Sequence, residues 1–169
     1  MKQILLTTTL ILAAVGFASA QQKKTPASPP ASTEIKMGSG MVSIKYNSPF
    51  VKGRKIFGGI LPYGQVWRAG ANAATSLHTD SDLMIGTLSV PKGDYTLYVI
   101  PTEKEWTLIV NKQTGQWGTE YSESNDLGRT KMMTKAAPAL VESFKIELTD
   151  SALTMQWENT IATVKVKSK

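Results

Sequence analysis

From Glu34 onward the apolar positions recur with a period of two rather than 3.6, which is the signature of half-buried strands. Met41 to Tyr46 alternates with Val42, Ile44 and Tyr46 on one side, and Asn47-Ser48-Pro49 ends that strand. Leu83-Met84-Ile85, Gly86 and Thr87-Leu88-Ser89-Val90 predict a short hairpin or bent strand, closed by a turn at Pro91-Lys92-Gly93-Asp94. Tyr95 to Ile100 is an almost unbroken β-prone apolar run and predicts a central strand. After the polar turn 102–105, Trp106, Leu108 and Val110 alternate with Thr107, Ile109 and Asn111. Near the C-terminus, Phe144, Ile146 and Leu148 alternate, then Leu153, Met155 and Trp157, then Ala162, Val164 and Val166. Turns at Thr149-Asp150-Ser151 and Glu158-Asn159-Thr160 would make these three strands of an antiparallel meander. Only Thr134–Val141 has a helix-like composition, and Pro138 interrupts it. The expected fold is all-β: an antiparallel β-sandwich, or flattened barrel, of about seven to nine strands.

One segment breaks the alternation. Residues 51–76, VKGRKIFGGILPYGQVWRAGANAATS, hold five glycines, with Arg54, Tyr63, Trp67 and Arg68 among them. A long connection with its own aromatics and charges is either a packed loop or a functional one. In the packed alternative, Phe57, Ile60, Leu61 and Trp67 plug one end of the fold.

The N-terminus has a different pattern. One charge at Lys2 precedes an apolar run from Ile4 to Phe17, broken by Thr7–Thr9 and closed by Ala18-Ser19-Ala20. This order predicts a cleavable secretory signal over residues 1–20, with cleavage after Ala20. The run is too short for a membrane span, which needs ~20 apolar residues. Gln21 stands where a lipoprotein would carry its cysteine, so no lipid anchor is expected and the product is periplasmic or extracellular. Residues 21–33, QQKKTPASPPAST, have the composition of a flexible linker, leaving 34–169 as a single domain. With no cysteine in the chain, stability must come from side-chain burial rather than disulfides.

The net charge of +6 is unevenly spread. Residues 21–60 carry seven lysines and arginines against Glu34 alone, whereas 76–130 is acidic by eight to four. Such a basic stretch suits an anionic partner, or serves only solubility. Export argues against nucleic acid as that partner.

The runs SPFVKGRKIFGGILPYGQVWRAGANAAT, PKGDYTLYVIP and EKEWTLIVNKQTGQWG, the later Asp126-Leu127-Gly128-Arg129, and the entry Ser28-Pro29-Pro30-Ala31 together resemble the bacterial family called domain of unknown function 2911. The resemblance covers roughly residues 28–167. It implies an exported bacterial β-sandwich and lends no activity, cofactor or substrate. Ala73 departs from the acidic residue the resemblance leads one to expect after Gly70-Ala71-Asn72.

Candidate chemistry is sparse. A single histidine, His78, and no cysteine exclude multi-histidine and thiolate metal sites, and no metal or other cofactor is expected. Asp80 and Asp82 lack the glycine and distal glutamate of a calcium loop and read as a solvated turn. Ser89-Val90-Pro91-Lys92 has the S-x-x-K spacing of penicillin-binding enzymes but lies at a turn without the partner motifs. No phosphate loop and no marked carboxylate pair is present, so no catalytic residues are assigned. What remains is ligand binding. Arg54 and Arg68 suit carboxylate or phosphate; Tyr63, Trp67 and Trp117 suit stacking; Asn72 offers both a donor and an acceptor. The leading expectation is a cell-envelope binding or accessory module for a small anionic or glycan-like ligand. The alternatives are a structural or protein-interaction sandwich without a small-molecule site, and an envelope-directed hydrolase. Convergence of Arg54, Arg68, Asn72 and Trp117 would favour the first. Pairing and burial of the same residues would favour the second, and a carboxylate with a raised pKa in a cleft the third.

Overall fold

The computed structural model describes residues 26–169, so the expected signal peptide and the first part of the linker lie outside the described residues. Nine strands form: β1 (Pro30–Met37), β2 (Gly40–Asn47), β3 (Thr75–Thr79), β4 (Leu83–Ile85), β5 (Leu88–Val90), β6 (Gly93–Pro101), β7 (Glu105–Asn111), β8 (Asp126–Leu148) and β9 (Ala152–Ser168). Among the described residues there is no α-helix, only a 3-10 turn at Glu123–Asn125, and no helix is long and apolar enough to cross a membrane. β1 starts at Pro30, so the last four residues of the expected linker are strand.

All pairings are antiparallel and join the strands into a single sheet of order β1-β2-β3-β6-β7-β8-β9-β4-β5, which does not close into a barrel. The strands thus form one continuous hydrogen-bonded sheet rather than two separately paired ones. The reason lies in β8 and β9, 23 and 17 residues long, which run through the bend where a sandwich would change sheets. The register between them shifts at Ala136/Val141 and at Val141/Lys145, and Glu158 sits at φ 53° opposite Val141. Extra residues of this kind bend a strand and raise its twist without ending it. The expected Glu158–Thr160 turn is therefore a bulge inside one strand, and the helix-like Thr134–Val141 is the bulged middle of β8. The far half of β8 returns over the start of the sheet. The Ile146 N–H donates to Tyr46 Oη at 3.0 Å and the Leu148 N–H to Thr33 Oγ1 at 3.4 Å.

Folding the sheet over encloses one apolar core. Val42 and Ile44 of β2, Leu97 and Val99 of β6, Leu108 and Val110 of β7, Met132 and Phe144 of β8 and Met155 of β9 are all fully buried. Each belongs to the inward half of a period-two pattern, as the alternation predicts. The segment between β2 and β3 adds a lid to this core. Ile56, Phe57 and Trp67 are buried, with Trp67 stacked on Trp157 at 5.5 Å and edge-on to Phe144 at 4.9 Å. Its attachment is largely backbone: Trp67 exchanges both N–H···O bonds with Val99 at 2.8 Å. Glu158 reaches in from the β9 bulge and accepts the N–H groups of Ile56 and Phe57 at 3.1 and 3.3 Å. Ile60, expected in the plug, is 48% exposed.

Candidate ligand-binding site

The outward side of β6 is also covered. Tyr98 alternates with the inward Leu97 and Val99, yet it is fully buried because the chain from 112 to 126 folds back across it. Thr96 Oγ1 donates to the Gln113 carbonyl at 2.7 Å, and Gln116 Nε2 donates to Tyr98 Oη at 3.0 Å and to Thr96 Oγ1 at 3.3 Å. Tyr98 in turn donates to the Glu120 carbonyl at 3.2 Å and packs edge-on against Tyr121. The far end of this loop is pinned by Asp126, which accepts from Asn111 Nδ2 (2.9 Å), Tyr121 Oη (2.8 Å) and Arg129 Nε (3.0 Å). Burial, reinforced by the neighbouring Asp126 carboxylate, pushes the Tyr121 phenol up to about 12.

Against this loop lies the turn Arg68–Ala73. Ala69 and Asn72 both adopt left-handed backbone, at φ 50° and 60°. Strain of this sort, of order 1–3 kcal/mol per residue, persists only where the surroundings enforce it. Here the surroundings are visible. Trp67 Nε1 donates to the Gly70 carbonyl, Thr75 Oγ1 to the Ala69 carbonyl, and Gly118 N–H to the Asn72 carbonyl. Ala73 then pairs with Trp117 in an isolated antiparallel bridge. Gly118 makes the approach possible: a Cβ there would lie 1.8 Å from Arg68 Cδ and 2.6 Å from the Asn72 carbonyl oxygen.

Three of the six expected ligand-binding residues therefore come together: Arg68, Asn72 and Trp117. Arg68 is half-buried, with its Cδ and Nε packed against Gly118. Among the described residues it makes no ion pair, and its Nε is buried without a hydrogen-bond partner. Burial lowers its pKa, partly offset by the Tyr98 phenol, and an arginine so placed remains charged. Gln116 Oε1, on the other flank of Tyr98, is likewise buried and unpaired. Trp117 stands 53% exposed at the rim, and Asn72 is exposed beside it.

The other three do not join them. Trp67 is core. Arg54 is satisfied by its own turn, donating from Nε to the Val51 carbonyl and from Nη2 to the Phe50 carbonyl. Tyr63 covers Gly58 and borders an open hollow with Thr102–Glu105. Neither Arg54 nor Arg68 pairs with Asp126 or Glu120, because Arg129 takes Asp126. Sequence reasoning missed Tyr98 and Gln116, which lie within or next to strand-like runs and become site residues only through the loop that folds over them.

His78 projects from β3 with 47% of its side chain exposed, its Nδ1 2.7 Å from Asp94 and its Nε2 3.1 Å from Asp80. Hydrogen bonds to the carboxylates of Asp94 first and Asp80 second raise its pKa. With a carboxylate against each ring nitrogen it offers no free nitrogen to a nucleophile. Among the described residues no three His, Asp or Glu side chains are grouped to hold a metal ion.

The family described as "Protein of unknown function (DUF2911)" matches residues 28–166. Comparison with curated proteins and with solved structures finds no match.

Proposed function

The chain belongs to the DUF2911 family of proteins of unknown function, so its role must be read from its own residues, and we propose that it is a binding module for a small anionic or glycan-like ligand held at Arg68, Asn72 and Trp117. The observation that carries this reading is Arg68: a half-buried guanidinium that, among the described residues, has no acidic partner and no partner for its Nε. A buried charge that serves stability alone is normally paired. The exposed indole of Trp117 supplies an apolar face for a sugar or aromatic ring next to that charge. Signal-like residues 1–20 support placing the module in the cell envelope or outside the cell. The finer description of the fold as a two-layered sandwich draws support from the return of β8 over β1 and β2.

The test is a thermal-shift screen of galacturonate, glucuronate, citrate, sugar phosphates and inorganic phosphate. A ligand at 100 times its Kd adds about 2.7 kcal/mol, or roughly 5–10 °C in the midpoint of a domain this size. Arg68→Met, which keeps the side-chain stem and removes the charge, is expected to abolish the shift, and Trp117→Ala to reduce it. The reading fails if no anion raises the midpoint, or if the shift survives Arg68→Met.

A further inference from the structure

The two edges of the sheet differ. β5 is three residues long, and the turn before it is tied to β8 by the Thr87 N–H donating to Thr130 Oγ1 at 3.3 Å. β1, the opposite edge, runs eight residues in unbroken register with β2, without a bulge and without a proline after Pro30. Its hydrogen-bonding parity follows from the two ends of the hairpin. Met37 and Gly40 bracket a two-residue turn, and at the far end the Ser48 N–H donates to the Pro29 carbonyl at 2.9 Å. The odd-numbered residues of β1 therefore bond to β2. Met41, opposite Lys36, agrees: its carbonyl and its N–H both go to Asp80, on the other side of β2. The N–H and C=O groups of Ser32, Glu34 and Lys36 thus point away from the sheet, and among the described residues none of them has a partner. β8 is hydrogen-bonded to β1 at a side chain, Thr33 Oγ1, and takes none of these groups. Edges of this length are ordinarily interrupted by a bulge, a proline, an unbalanced charge or a covering segment. Here Lys36 is balanced by Glu34; both side chains are exposed, and neither enters an ion pair among the described residues.

We propose that β1 is the interface of a two-fold dimer, pairing antiparallel with β1 of a second copy about an axis at Ile35. The inference is independent of the ligand site. Backbone parity requires the outward groups of the two strands to face each other. An axis at Ile35 meets this by setting Glu34 opposite Lys36 of the second copy, and Lys36 opposite its Glu34, with both N–H···O bonds exchanged in each pair. The same register satisfies charge, since each pair joins a carboxylate to an ammonium on the exposed face. Moving the axis to Glu34 keeps the parity but sets like charges directly opposite. On the inward face, the half-buried Ile35 meets Ile35 of the second copy, and Thr33 meets its Met37. A two-fold contact uses the same edge of both copies and so stops at two. A contact one strand wide buries little area, which places the dimer in the weak, reversible class. An extended peptide would use the same backbone groups. The order Glu34-Ile35-Lys36, complementary to itself when reversed, is what favours a second copy.

Sedimentation velocity on the purified protein, from about 10 µM to about 1 mM, tests this, and a reversible monomer–dimer equilibrium is expected in that range. Glu34→Lys alone, or Lys36→Glu alone, sets like charges opposite at two symmetric places and should weaken the dimer about tenfold or more. The double variant Glu34→Lys with Lys36→Glu exchanges the charges and should restore wild-type association. Thermal midpoints close to that of wild type show that these exposed substitutions leave the fold intact. The register is read separately by cross-linking, because the chain has no cysteine of its own. Opposed residues of the Ile35 kind have Cα atoms ~4.5 Å apart, within disulfide reach. Ile35→Cys should therefore form a linked dimer with oxidised glutathione as the electron acceptor, whereas Ser39→Cys in the turn should stay unlinked. A protein monomeric throughout, whether or not it binds added extended peptides at this edge, overturns the inference. So does a dimer that the single charge reversals leave unchanged, a double variant no better than the singles, or Ile35→Cys linking no faster than Ser39→Cys.

Discussion

Glu158 holds the inserted segment to the sheet from a backbone conformation that glutamate ordinarily avoids, and substituting it separates two effects of opposite sign. Its carboxylate accepts two backbone N–H groups, from Ile56 at 3.1 Å and Phe57 at 3.3 Å, both residues being fully or nearly fully buried. Bonds to a charged acceptor contribute about 1.5–3 kcal/mol at good geometry. At these longer distances and with Glu158 partly exposed, about 1 kcal/mol each is the better figure, and the donors are left unpaired when the acceptor goes. Glu158→Ala is therefore expected to cost ~2–3 kcal/mol. The φ of 53° adds the second effect, since a left-handed conformation costs an L-residue roughly 1–2 kcal/mol and glycine almost nothing. Glu158→Gly loses the same two bonds and relieves the strain, so it should be more stable than Glu158→Ala by about 1 kcal/mol. That ordering reverses the usual one for a strand interior, where glycine is the weaker residue. Thermal unfolding followed by circular dichroism reads both variants, at roughly 2–4 °C per kcal/mol for a domain of this size. An alanine variant as stable as the glycine variant, or either as stable as wild type, refutes the reasoning.

Two further outcomes follow from the same coordinates. Gly118→Ala places a methyl 1.8 Å from Arg68 Cδ and 2.6 Å from the Asn72 carbonyl, so it should cost ~1–3 kcal/mol and weaken any anion-induced thermal shift, both read in the same melting experiment. For His78, the raised folded-state pKa means its contribution is complete below the ordinary 6.5 and is lost as pH rises through the raised value. With a side chain 47% exposed that contribution is only about 0.2–1 kcal/mol. The stability advantage of wild type over His78→Asn, measured by urea unfolding, should be present at about pH 5.5 and gone by about pH 9.

The elements legible in the sequence are those whose alternation is decided locally. β2, β6, β7 and the β4–β5 hairpin fall where Val42/Ile44, Tyr95–Ile100, Trp106–Val110 and Leu83–Val90 place them. The first half of β8 was not legible because Asp126–Lys131 carries no apolar alternation, and only pairing with β7 makes it strand. Thr134–Val141 has alanines that favour a helix in isolation, yet pairing with β9 overrides that preference. At the site, Arg68, Asn72 and Trp117 could be proposed from residue type. Their separation from Arg54 could not, since it depends on carbonyls of Phe50 and Val51 lying within reach of that guanidinium. Trp67 read equally well as core or ligand platform, and its stacking on Trp157 decides for the core.

The order of strands in the sheet also dictates an order of assembly. β9 lies between β8 and β4, and the β4–β5 hairpin pairs as a strand only with it, Leu83–Ile85 against Val166–Ser168. A chain emerging from the ribosome therefore holds that hairpin without its strand partner until the last of the nine strands has been made. Two strands alone are marginal in water, so the core side chains Leu83, Ile85 and Val90 wait as well. Joining segments some eighty residues apart carries a loop-closure cost that precedes any reward from packing, which places this fold among the slow ones.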